Sequence, residues 1–106
     1  MKQSPAGMRF IAQMSIYNRG DFSRLRQYFS ENYHSTLLDE QSPAARTALL
    51  KAQFRLVGRL RVRQVIVAEK YEVVVLVESE RDERLFIMTM SIEEEYPHHV
   101  VVFEQG

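Results

Sequence analysis

The stretch LRVRQVIVAEKYEVVVLVESERDERLFIMTMSIEEEYPHHVVVF, residues 60–103, decides the fold. It concentrates the β-branched residues of the chain and breaks them at short polar intervals, which predicts four strands at about 59–68, 71–79, 84–94 and 98–103. The connections are too short for crossover helices, so the sheet is expected to be antiparallel. Alternation along the third strand puts Phe86, Met88, Met90 and Ile92 on one face and Leu85, Ile87, Thr89, Ser91 and Glu93 on the other. The first set is assigned to a helical cover. The first strand sorts into Leu60, Val62 and Ile66 against Arg59, Arg61, Arg63, Val65 and Val67, while residues 73–77 are apolar on both faces. A two-faced apolar strand with helices enough for one face leaves an apolar patch outside. Its simplest cover is a second copy, and a homodimer through Val65, Val67 and Val75 is expected.

The cover lies upstream. Ser4-Pro5 and Ser42-Pro43 are helix starts, a capping serine followed by a proline whose missing amide costs nothing at that position. The first helix carries Phe10, Ile11, Met14 and Tyr17 as its apolar stripe, with Arg9, Gln13 and Asn18 off it, and ends at Asn18-Arg19-Gly20. Asp21 caps the second, which turns Phe22, Leu25, Tyr28 and Phe29 inward. Periodicity fails over residues 32–41, which read as the longest connection and the most mobile segment. The third helix, about 43–57, presents Ala45, Leu49, Leu50, Phe54 and Val57, and Gly58 closes it. The expected fold class is α+β, three N-terminal helices packed on a curved four-stranded antiparallel sheet in one domain spanning residues 1–106.

Composition narrows the functional classes. Fourteen basic residues balance fourteen acidic ones, so the overall field directs the chain to neither nucleic acid nor a membrane surface. No cysteine is present, which removes disulfides, thiolate metal sites and cysteine nucleophiles and fits a reducing, cytoplasmic setting. The N-terminal residues hold no secretory or membrane-spanning run. No glycine-rich phosphate loop and no Gly-x-Ser-x-Gly occur, and no cofactor is expected.

The candidate sites are few. His34, with Asp39 or Glu40 in the same connection, could form an acid–base pair, and Tyr17 could donate a hydrogen bond to a bound carbonyl. The ordinary readings are a solvated loop and a core tyrosine. His98 and His99 are neighbours on a predicted strand and point to opposite faces, and Glu93, Glu94 and Glu95 read as a solvated edge, so no metal site is expected. Arg55, Arg59, Arg61 and Arg63 make a basic strip that could hold an anion or pair with Glu72, Glu78, Glu93 or Glu94 across the sheet. Phe10, Met14, Tyr17, Phe54, Phe86, Met88 and Met90 line the space between helices and sheet, either as packed core or as a pocket for a small apolar ligand.

The order of elements, with Asn18, Gly20 and Asp21 at the first helix turn, Ser42-Pro43 followed by Arg46, and Pro97-His98-His99-Val100 before the last strand, resembles the nuclear transport factor 2-like fold, which includes the SnoaL-like families. Within it the chain is most similar to small domains found alone or ahead of bacterial serine hydrolases. The resemblance implies a cone of helices on a curved sheet. It allows several roles: a non-enzymatic ligand-binding or dimerisation module, an isomerase, cyclase or dehydratase acting on an apolar molecule, or an accessory domain of a hydrolase.

Overall fold

The computed structural model describes residues 4–106, so Met1, Lys2 and Gln3, part of the N-terminus that reads as free of a secretory signal, lie outside the described residues. The chain is α+β: α1 (Pro5–Asn18), α2 (Phe22–Asn32), α3 (Ser35–Glu40) and α4 (Pro43–Val57) precede β1 (Leu60–Ala68), β2 (Glu72–Ser79), β3 (Leu85–Ile92) and β4 (Val100–Gln105). The strands form one open antiparallel sheet in the order β1-β2-β3-β4. No described helix is long and apolar enough to cross a membrane.

Both serine-proline starts are helix caps. Ser4 accepts from the Gly7 amide at 2.9 Å and Ser42 from the Ala45 amide at 3.1 Å. Asp21 caps α2 through the Arg24 amide, and Gly20 makes the turn before it with φ +69°, a conformation a side chain would strain. Among the described residues the helices number four rather than three. The stretch read as a mobile connection contains α3, six residues with no buried member, which periodicity could not reveal. Flanking side chains hold it: His34 Nδ1 accepts from the Thr36 amide, while Arg46 donates to the carbonyls of Leu37 (2.6 Å) and Gln41 (3.0 Å) and lies over the Tyr33 ring.

The core lies between the helices and one sheet face. Val73, Val75 and Val77 of β2 pair with Met90, Met88 and Phe86 of β3, and all three valines are fully buried beneath α1 and its neighbours. Val75 is therefore an interior residue, not part of the outer face. Val75 lies on a strand apolar on both faces, where spacing cannot tell inside from outside, and Val65 is displaced by two register shifts in β1, between Val62 and Gln64 and between Val65 and Val67, that break its alternation. The shifts align Val65 with inward Val75 and Val67 with outward Val74, so of the three expected dimer residues Val67 alone faces outward.

Helix stripes also depart from simple periodicity. Gln13 is buried because its Oε1 accepts a 2.7 Å hydrogen bond from the Tyr33 hydroxyl, and Ile16 joins the core. On α4 the inner positions are Thr47, Leu50, Phe54 and Val57, whereas Leu49 is 59% and Leu56 75% exposed.

Candidate functional site

The connection from β3 to β4 is a hairpin, which returns the chain on itself and brings His99 beside Glu93. The Glu93 amide donates to the His99 carbonyl at 3.0 Å, and the His99 amide donates to Glu93 Oε1 at 2.9 Å. Arg9 of α1 ties this connection to the helices, its Nε and Nη2 donating to the carbonyls of His98 (3.2 Å) and Pro97 (2.7 Å) and its Nη1 to Asn32. His98 has φ +61°, outside the extended region, so β4 begins at Val100 rather than at His98; the Tyr96–Pro97 peptide before it is cis.

The result is a cluster of two imidazoles on one carboxylate. His99 Nδ1 lies 3.1 Å from Glu93 Oε1, and His34 Nε2 lies 3.8 Å from Oε2. The tautomer of His34 follows from its capping role: Nδ1 accepts the Thr36 amide at 3.1 Å, so in the neutral ring the proton sits on Nε2, facing Glu93. The His34 and His99 rings stand edge to face with centroids 6.3 Å apart. All three side chains are about one-third exposed. Among the described residues no group of three or more His, Cys, Asp or Glu is arranged to hold a metal ion.

His34 thus meets Glu93, not Asp39 or Glu40, which lie exposed on α3. His98 diverges from His99, its Nδ1 3.0 Å from the Glu93 carbonyl and its ring beside Tyr71 and Tyr96. Sequence reasoning missed Glu93 because it treated Glu93, Glu94 and Glu95 as one edge. The available signal was the hairpin itself, whose arms make residues flanking the turn cross-strand neighbours.

Tyr17 donates to the Gly58 carbonyl at 3.0 Å and receives a 3.4 Å contact from Gln53 Nε2. Burial pushes its hydroxyl above the ordinary tyrosine value, against the opposing hydrogen bond from Gln53. It stays a neutral donor spent on the backbone.

The residues expected to line a pocket are packed together: Phe10, Met14, Tyr17, Met88 and Met90 are buried, and Phe54 and Phe86 are half-buried at the margin. Phe54 stands edge-on to Tyr17 at 5.4 Å and to Phe22 at 5.5 Å. The space among Gln13, Met14, Tyr17, Leu50 and Met88 measures about 10 Å³, room for about one water.

The outer face of the sheet contrasts with that filled interior. Leu85 is 54% and Ile87 46% exposed, and Val67, Val74, Leu76 and Val102 are half-buried around them. Polar pairs frame the patch: Arg61 and Arg63 meet Glu78 at 2.7 and 3.4 Å, and Ser91 donates to Glu72 at 2.9 Å. The basic strip is used as cross-strand ion pairing at these positions. Compared with known proteins, the chain matches no family model, no curated protein and no solved structure.

Proposed function

We propose that the domain is a non-catalytic association module of the nuclear transport factor 2-like type that pairs with a second copy of itself through the outer face of its sheet. The observation that carries this reading is the contrast between a filled interior and an apolar outer face centred on Leu76, Leu85 and Ile87. The space of about 10 Å³ among Gln13, Met14, Tyr17, Leu50 and Met88 is too small for an apolar ligand, whereas a patch of large aliphatic side chains framed by ion pairs is suited to burial against a like surface.

A second copy is the simplest cover for such a face, since symmetric pairs are the commonest soluble assemblies. Arginines 61 and 63 stand at the β1 edge and exposed Glu104 at the β4 edge. Stacking two sheets face to face about a two-fold axis parallel to the strands lays each β1 edge over the partner's β4 edge. The absence of cysteine keeps a cytoplasmic setting within this proposal.

The test is the mass in solution. Multi-angle light scattering should give twice the chain mass for the wild type and a single-chain mass for Ile87→Glu, with the far-ultraviolet circular dichroism of both alike. A monomeric wild type, or a dimer indifferent to Ile87→Glu and Leu76→Arg, rules out this face.

A further inference from the structure

Helix α4 carries a second apolar stripe that the domain does not use. Ala45, Leu49, Ala52 and Leu56 follow one another at intervals of four, three and four residues, and all four are exposed. That spacing places them in one line about 16 Å long on the side of the helix away from Thr47, Leu50, Phe54 and Val57. It is the alternation of intervals by which one helix packs along another. At its N-terminal half the stripe opens onto a partly polar cavity of about 130 Å³, walled by Leu49, Leu50, Phe29 and Phe103 together with Gln41 and Arg46, into which an anchoring side chain could insert.

The charge of α4 selects the occupant. The helix contains Arg46, Lys51 and Arg55 and no acidic residue. Arg46 is engaged with α3 and Tyr33, but among the described residues neither Lys51 nor the Arg55 guanidinium is in an ion pair. Arg81 donates to the Arg55 carbonyl and adds another cation at the C-terminal end. A second α4 laid along this stripe would bring cation against cation. We infer that α4 docks an acidic amphipathic helix of a partner protein, one with apolar residues at heptad positions a and d and carboxylates flanking them.

The test uses the full chain and a fluorescein-labelled synthetic helix of three heptads, with leucine at a and d and glutamate at e and g, followed by fluorescence anisotropy. A second probe has lysine at e and g and is otherwise identical. The acidic probe should bind and weaken as salt is added, with the lysine probe at least about tenfold weaker. Leu49→Glu and Leu56→Glu, at exposed positions, should each cost at least about tenfold in affinity while leaving the circular dichroism unchanged. Lys51→Glu with Arg55→Glu should shift the preference toward the lysine probe.

Failure of the acidic probe to bind, equal binding of the two probes, or indifference to Leu49→Glu and Leu56→Glu each overturns the inference. So does a wild-type dimer mass that Leu56→Glu halves, because the stripe then belongs to a second copy. The inference is independent of the sheet-face association: Ile87→Glu protein should bind the acidic probe as the wild type does, so either reading can fail alone.

Discussion

The two faces of β2 are built from the same residue types and have opposite fates. Val73, Val75 and Val77 are fully buried, while Val74 and Leu76, between them in sequence, remain half-exposed. Hydrophobicity alone does not distinguish the sets. What separates them is that α1 lies against one face, whereas the other is bounded by cross-strand ion pairs. An apolar side chain in a sheet is therefore core or surface according to what the chain places over it.

The largest expected effect that would break this comparison is a charge inside. Val75→Asp buries a carboxylate with no partner opposite Met88 and should cost more than about 4 kcal/mol, enough to abolish cooperative thermal unfolding. Leu76→Asp, one residue away, should cost within about 1 kcal/mol when both proteins are compared at concentrations where the chain is single. Similar losses at both positions would mean that the faces are not distinct.

Truncation sharpens the same contrast more gently. Val77→Ala should cost about 2 kcal/mol in urea unfolding through lost burial and a residual cavity, and Val74→Ala less than about 1 kcal/mol. Next come the polar groups that seal the interior. Tyr17→Phe removes the hydrogen bond to the Gly58 carbonyl and should cost about 1 kcal/mol, since the lost donor leaves a buried acceptor behind.

The smallest effect concerns pH, to which the interior and the sheet margins answer at opposite ends. Burial pushes the Tyr28 hydroxyl up to about 12, overcoming the nearby Arg9 guanidinium, and pushes Tyr33 up further in the same direction. Their folded values lie above the unfolded one, so the stabilisation is complete below about pH 10 and is lost as pH rises through the folded values. Tyrosinate absorbance from these two side chains should appear only as the chain unfolds. At the margins, the Ser79 hydroxyl and the Arg84 amide lower Asp82, and Arg61 lowers Glu78. Their contribution is present above the ordinary carboxylate range and lost as pH falls through the depressed values, and Ser79→Ala should flatten that acid limb.

Much of this architecture is legible from local sequence. The serine-proline starts, the Asn18-Arg19-Gly20-Asp21 turn and the inward set Phe86, Met88, Met90 and Ile92 depend on caps and short-range periodicity, and each is found where expected. α3 is not legible, because a six-residue helix with no buried side chain has no stripe to read. Nor is the His34–Glu93–His99 cluster, whose members lie up to sixty-five residues apart and meet only because Arg9 and the hairpin hold the β3–β4 connection against α1 and α2.

By itself the sequence determined every described element except α3, the α+β class and the antiparallel pairing of neighbouring strands, because caps, turn lengths and apolar spacing act over a few residues. Only the tertiary structure decided which valines of β1 and β2 face the helices and which of the two stripes on α4 is covered. The two register shifts in β1 slip its alternation relative to β2, and α4 can bury one stripe against the domain while the other stays in solvent. Both outcomes are set by contacts between distant segments, and residue spacing within a single segment carries no record of them.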